Sequence, residues 1–229
     1  MRRPGRRRFV TVIVLLGAPG AGKGTQAKVL EEKLGLPHLA SGDLLRAAVA
    51  NRTAVGREAD RYMSRGQLVP DGTMIRVFLD RLGDGDAASG AILDGFPRTR
   101  AQAEALDHAL GEHDRRVDRA LLIEVPVEDL VRRAAGRWIC EAAGHVYHEV
   151  ANPPRQAGIC DLDGSRLIQR ADDREETVRA RMAQQLGALE DVVDHYETSG
   201  ILRRVDGRRS IPEVTDQLLD QLAFDRGAA

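Results

Sequence analysis

Residues 9–26 read FVTVIVLLGAPGAGKGTQ, and the rest of the chain is organised around them. Val10, Val12, Ile13, Val14, Leu15 and Leu16 form a near-continuous apolar run rich in β-branched side chains, the pattern of a strand buried on both faces. The run stops at Gly17, and Gly20, Gly22 and Gly24 follow with Lys23 among them. A backbone this rich in glycine can curl until successive N–H groups point inward at an anion. The helix-forming TQAKVLEEKL places that loop at a helix N-terminus, where unpaired amides and the peptide dipole favour phosphate.

The spacing is the phosphate-loop pattern G-x-x-x-x-G-K, in which Lys23 reaches the β- and γ-phosphates of a nucleotide. Gly24 stands where serine or threonine is usual, and Thr25 comes one place later. The strand before and the helix after are the context that turns the match into evidence of phosphate binding.

A chain of 229 residues suits one α/β domain with insertions, or two small domains. Hydrophobic residues make up 42% and charged ones 30%, enough to build a core. The formal net charge of −1 gives no reason to expect nucleic acid or an anionic membrane as partner. Lys23, Lys28 and Lys33 are the only lysines, so the basic charge is carried by arginine, whose planar fork matches phosphate. Cys140 and Cys160 do not make a disulfide scaffold, and no apolar stretch has the length of a membrane span. MRRPGRRRF ahead of VTVIVLL has the basic and apolar regions of a signal peptide, but cleavage there would destroy the first strand and its loop. Residues 1–8 are therefore read as a disordered basic extension on a cytoplasmic protein.

Further along, His38-Leu39-Ala40 is a short strand, and Ser41-Gly42-Asp43 caps a helix beginning at Leu44. Residues 44–66 read as two short helices broken near 53–56. After Pro70, Met74, Val77, Phe78 and Leu82 mark one face of a further helix. Residues 91–94 and 120–125 are buried strands, each followed by a helix. Residues 137–173, with both cysteines, Trp138 and Tyr147, read as a small β-rich excursion. A helix from about 174 to 196, a strand at 201–205 and a helix at 211–222 complete the chain. Strands alternating with helices give a parallel sheet covered on both faces, with ligands at the carboxyl ends of its strands.

That rule gathers the phosphate loop, Ser41 and residues 94–98 at one rim. Asp94 ends a buried strand, where phosphate-loop enzymes place the acid that holds Mg²⁺. Arg98, four residues on, suits a phosphate clamp. Arg133 and Arg137 share a helix face, and Arg170 and Arg181 flank the excursion on its far side. Moving a phosphoryl group between two anions requires several fixed positive charges.

GAPGAGKGTQ, SGDLLR, DGFPRTRAQA, GRWIC…GHVYH…NPP…G and QRADDREETVRARM, in this order and spacing, resemble adenylate kinase over residues 12–214. The resemblance implies an α/β fold: a P-loop NTPase-type parallel sheet flanked by helices, with a helical AMP-binding insertion and a small β-rich LID. The domains implied are a CORE of residues 9–39, 70–135 and 174–224, an AMP-binding domain of residues 40–69, and a LID of residues 136–173. The reaction implied is ATP + AMP ⇌ 2 ADP with Mg²⁺, by a monomer. Carried over by position, Gly20, Ala21, Gly22, Lys23, Gly24 and Thr25 hold the ATP phosphates. Arg137, Val146 and Tyr147 cover ATP, and Arg209 lies by its adenine. Ser41, Arg46, Gln67, Leu68, Val69, Gly95, Phe96, Pro97, Arg98 and Gln102 hold AMP. Arg133, Arg170 and Arg181 surround the transferring group, the last two also reaching AMP. Gln102 offers donor and acceptor to an adenine edge, whereas similar pyrimidine-monophosphate kinases carry asparagines there and a shorter LID.

Many long-LID relatives hold structural zinc through C-x2-C and C-x2-C/D. Here those positions are Cys140, Ala143, Cys160 and Asp163; His145 and His148 are near and either could substitute in principle, but neither sits at that spacing. Because Ala143 replaces a ligand, the LID is read as lacking structural zinc. Among rival readings, a GTPase would need an N-K-x-D segment, which the sequence lacks. A non-catalytic nucleotide-binding regulator need not keep Lys23, Asp94, Arg98 and Arg181 together.

Overall fold

An apolar run with side chains alternating across a sheet must be covered on both faces, and the first strand meets this demand. The structure, a computed structural model, describes residues 11–63, 69–150, 152–169 and 175–223. In β1 (Thr11–Leu16), Val12, Val14 and Leu16 point into one buried cluster while Ile13 and Leu15 point into another. The same division recurs in β3 (Gly90–Asp94) and β4 (Val117–Glu124): Ala91, Leu93, Ala120 and Leu122 face one way, Ile92, Leu121 and Ile123 the other. With β2 (His38–Ala40) and β8 (Leu202–Asp206) these strands form one sheet in the order β2-β3-β1-β4-β8, every pair parallel.

The helices cover the two faces. One cluster takes residues of α2 (Ser41–Ala50), α3 (Ala54–Met63), α4 (Asp71–Leu82), α5 (Arg100–Gly111) and α7 (Glu175–Thr198). The other takes α1 (Lys23–Leu34), α6 (Val127–Ala135) and α8 (Ile211–Ala223). Leu15 and Leu93 are at most 1% exposed, and truncating either to alanine costs about 2–5 kcal/mol. Between α1 and α8 the buried Gln26 amide is satisfied twice: it donates to the Ile211 carbonyl at 3.0 Å and accepts from the Thr215 hydroxyl at 2.7 Å.

Register decides where chemistry can assemble. Asp94 at the end of β3 pairs with Leu15 of β1 and Ala40 of β2. The loops that follow these three strands therefore leave the sheet side by side. A second, antiparallel sheet is built from β5 (Arg137–Cys140), β6 (Val146–His148) and β7 (Leu167–Ile168), in the order β6-β5-β7. It is the β-rich excursion expected between 137 and 173.

Three local readings change. Arg137, expected to share a helix face with Arg133, instead opens β5, because α6 ends at Ala135. The helix expected from Leu44 begins at Ser41, because Ala40, still extended, takes the N-cap position. The Ser41 hydroxyl is engaged by Arg98 instead of capping the helix. A short 3-10 turn, Gly85–Ser89, precedes β3 where the sequence carries no periodic signal. Residues 1–8 lie outside the described residues, so the reading of that extension has no structural counterpart here. Among the described residues no helix is long and apolar enough to cross a membrane.

Candidate active site

The loop between β1 and α1 is shaped by its glycines. Gly22 caps α1 in the left-handed conformation, φ 94° and ψ 11°, which costs a residue with a Cβ far more than glycine. No side chain caps α1 and no acidic residue lies in its first turn, so the positive end of the helix dipole faces the loop uncompensated. Lys23 folds back over the loop, donating to the Gly17 carbonyl at 2.7 Å and the Ala18 carbonyl at 3.1 Å. Thr25 is exposed one residue past Gly24. A ring of amides closed by an ammonium group is a receptor for polyphosphate.

Asp94 sits beside that receptor. Its Oδ2 lies 3.4 Å from where a Cβ on Gly24 would stand, and 3.2 Å from His38 Nε2. Both side chains are largely buried, at 14% and 10% exposure. The carboxylate is thus fixed at the mouth of the loop.

The segment after β3 carries the third component. Phe96 is buried and its ring stacks on Phe78 of α4, centroids 4.2 Å apart. The Phe96–Pro97 bond is cis. Arg98 donates through Nε to the Gly95 carbonyl at 2.7 Å and through Nη2 to the Ser41 hydroxyl at 2.9 Å. Gly95 has φ +73°, and a Cβ there would stand 2.7 Å from Ser41 Oγ and 3.1 Å from Arg98 Nη2; only glycine lets the two meet. Arg46 reaches Asp43 one turn back on α2.

Gln102 lies in the first turn of α5, 4% exposed. Its carbonyl accepts from the Arg98 N–H at 2.8 Å, and its amide donates to Asp71 Oδ1 at 2.6 Å. Asp71 also accepts from the Thr99 hydroxyl at 3.0 Å, and Thr99 caps α5 by accepting from the Gln102 N–H at 3.2 Å. The Asp71 contact fixes which end of the Gln102 amide points where.

The remaining predicted residues are more scattered. Arg133 donates to the Gly207 carbonyl at 2.8 Å, next to β8. Arg137 opens β5 opposite His148. Of the pair expected over ATP, Val146 is half-exposed, while Tyr147 points into the small sheet with its hydroxyl 3.4 Å from Cys160 Sγ. Arg209 is exposed and ion-paired with Asp206 and Glu213 at 3.8 and 3.7 Å. Val69 is partly buried, whereas Gln67, Leu68, Arg170 and the side chain of Arg181 lie outside the described residues.

Sequence reasoning missed His38 and Asp71 as site residues. His38 was read only as part of a strand, and its place beside Asp94 follows from the β2–β3 register, which no local pattern announces. It also judged His145 to be off the spacing of the LID ligands. One donor atom from each of Cys140, His145, Cys160 and Asp163 nonetheless lies within 4.8 Å of the others. Ala143 withholds a ligand as expected, but the four-donor set is complete without it. The Ser165 hydroxyl and N–H hold the Asp163 carboxyl below the usual carboxylate range.

Comparison with known proteins agrees with this geometry. The family model described as adenylate kinase matches residues 15–201. A curated adenylate kinase of Staphylococcus aureus is 46% identical over 210 residues, which covers 92% of this chain and 98% of the relative. One of Staphylococcus epidermidis is 45% identical over the same length. With most of its residues under that model and nearly the whole of such relatives matched, the chain belongs to the adenylate kinase family.

Proposed function

We propose that residues 20–25 hold the phosphates of ATP, and that Ser41, Arg46, Arg98 and Gln102 hold AMP together with residues 67–69 and 95–97. In this reading Arg133, Arg137, Arg170 and Arg181 surround the group in transit, and Val146, Tyr147 and Arg209 border the ATP base and ribose. The family's reaction is ATP + AMP ⇌ 2 ADP, and the chain is a nucleoside monophosphate kinase. The observation that carries the residue roles is the register of β1, β2 and β3. It brings the phosphate loop, Ser41 and Arg98 to one rim although Ser41 and Arg98 are 57 residues apart.

The chemistry asks for positioning and charge more than for proton transfer. The phosphate of AMP is already an anionic nucleophile, so no protein base has to activate it. Lys23 exchanges two neutral carbonyl partners for phosphate oxygens, since a charge-assisted hydrogen bond is roughly twice as strong as a neutral one. Arg98, already aimed by Gly95 and Ser41, meets the AMP phosphate in a bidentate fork. An amide has two donor hydrogens and two acceptor lone pairs. Asp71 and the Arg98 N–H take one of each from Gln102, and the others read the adenine edge.

Members of this family work on Mg·ATP, and the residues present suit that ion. Asp94 supplies a hard carboxylate oxygen at the mouth of the loop, the kind of ligand through which Mg²⁺ is held alongside substrate phosphates. Bound there with ATP, the ion neutralises charge on the phosphoryl oxygens.

The helical segment of residues 40–69 and the small sheet of residues 136–173 serve as an AMP-binding domain and a LID on a CORE of residues 9–39, 70–135 and 174–224. Both close over the substrates and exclude water that would otherwise accept the phosphoryl group. The enzyme works as a cytoplasmic monomer. A crystal structure with ATP and AMP joined in one bisubstrate inhibitor tests these roles. Lys23 and Arg98 are expected on the polyphosphate and Gln102 on the AMP base; all three turned away from the inhibitor would overturn the assignment.

A further inference from the structure

Helix α4 is a hub for the acceptor side of the cleft. Its apolar face, Met74, Val77, Phe78 and Leu82, is buried in the core, and Phe78 stacks on Phe96 just ahead of Arg98. Its first turn carries Asp71, which holds the amide of Gln102. Thr73 interrupts the apolar face. It is 1% exposed, and a buried hydroxyl needs a partner.

The partner comes from α3. The Thr73 hydroxyl donates to Glu58 Oε1 at 2.5 Å, and Arg76, one turn further along α4, donates to Glu58 Oε2 at 2.6 Å. Glu58 and Arg76 are both open enough to solvent that their ion pair alone contributes little. The hydroxyl bond differs, because it is aimed from the buried face of α4 onto a charged acceptor. Such a bond is roughly twice as strong as one between neutral groups.

Where α3 is held, α2 is held with it. A Cβ on Gly56 of α3 would stand 1.9 Å from the Ala48 carbonyl oxygen of α2, so the two helices meet backbone to backbone. Thr53, between them, is bonded to both: its hydroxyl donates to the Ala48 carbonyl at 3.3 Å and accepts from the Gly56 N–H at 2.9 Å. Helix α2 carries Ser41 and Arg46.

We propose that Glu58 is a positioning residue for AMP: through Thr73 it fixes α2 and α3 against the turn of α4 that aims Gln102. The inference rests on the placement of AMP among Ser41, Arg46, Arg98 and Gln102 proposed above. Glu58 acts through these residues and not on the nucleotide, so its effect falls on affinity. A site assembled for only a fraction of the time binds with an apparent Kd divided by that fraction. Once AMP is bound, its own contacts hold the two helices in place, and transfer proceeds at its usual rate.

The test measures initial rates of the full chain with Mg·ATP, varying AMP and ATP in turn, for Glu58→Ala, Thr73→Val, the double variant and Gln102→Leu, with Tm recorded for each. Glu58→Ala and Thr73→Val should each raise KM for AMP about five- to tenfold, within the coupling that contacting residues share. For both, kcat and KM for ATP should stay within roughly twofold, the pattern of lost binding without lost transition-state contacts. Thr73→Ser, which returns the hydroxyl, should recover KM. The double variant should lose no more than the worse single one, because both substitutions remove the same bond. Should Thr73→Val fail to fold, Glu58→Ala, at a half-exposed position, decides alone. A fall in Tm with KM for AMP unmoved would reduce the contact to packing and overturn the proposal. So would losses that multiply in the double variant, or KM for ATP rising as far as KM for AMP. Gln102→Leu separates the two readings. If it lowers kcat/KM for AMP while Glu58→Ala does not, this proposal alone fails; if Gln102→Leu changes nothing, the placement of AMP fails and takes this proposal with it.

Discussion

His38 Nε2 stands 3.2 Å from Asp94 Oδ2, a contact between neighbouring strands made at the mouth of the phosphate loop. An acidic group that orients a metal-bound nucleotide is only as useful as its own orientation, and outer partners of metal ligands typically contribute 10–100-fold. His38→Leu should therefore raise the Mg²⁺ concentration needed for half-maximal turnover by roughly tenfold, with KM for AMP little changed. His38→Gln, which keeps a donor, should recover most of the loss. Turnover measured against Mg²⁺ concentration for both variants checks this.

Selectivity for the acceptor should depend on Asp71 as well as on Gln102. Asp71 holds the Gln102 amide in one orientation at 2.6 Å and ties down the Thr99 cap. Gln102→Leu should lower kcat/KM for AMP by about 10–100-fold, the usual consequence of unpairing hydrogen-bonding groups on a bound substrate. Asp71→Asn removes the charge-assisted partner of the amide, leaving the Arg98 N–H to hold its orientation, and should narrow the preference for AMP over CMP, UMP and GMP. A coupled assay across the four monophosphates reads the ratio directly.

Stability against pH should carry two opposed contributions. Arg208 hydrogen-bonds Asp206 and holds its carboxyl down to about 2. A depressed folded-state value means that this stabilisation is present above the ordinary carboxylate range and is lost as pH falls towards 2. Burial raises the Asp107 carboxyl, against the opposing bond to His195 at 2.7 Å. A raised value means the reverse: its contribution is complete below the ordinary range and is lost as pH rises through the folded-state value. Tm measured from pH 2 to 7 should show Arg208→Ala flattening the acid limb. Asp107→Asn should remove the decline on the other side.

Much of this was legible in the sequence, and the reasons are physical. The run from Val12 to Leu16 could only be a central strand, and the glycines after it could only be a tight loop; both are local properties of the chain. The break between α2 and α3 was expected near 53–56 and falls at 51–53, and α4 begins after Pro70 as read. Contacts set by register were not legible. His38 meets Asp94, and His145 meets Cys160, because strands pair at one offset and not another, and motif spacing does not encode that offset. The start of α2 was misplaced for a related reason: the Ser41 hydroxyl serves Arg98, a partner 57 residues away.

The central claim is that the phosphate loop and its lysine, facing Arg98, bring two anionic nucleotides together for transfer. The most direct measurement is ADP formation from ATP and AMP by the full chain and by Lys23→Met, with Tm recorded for both. Lys23 touches loop carbonyls and lies outside the apolar core, so the substitution should leave Tm within a few degrees. Two ADP should form per ATP consumed by the unaltered chain, and kcat should fall by about 10²–10³ or more in the variant, as expected for removing a group that stabilises transition-state charge. Near-normal turnover by a folded Lys23→Met chain would contradict the account.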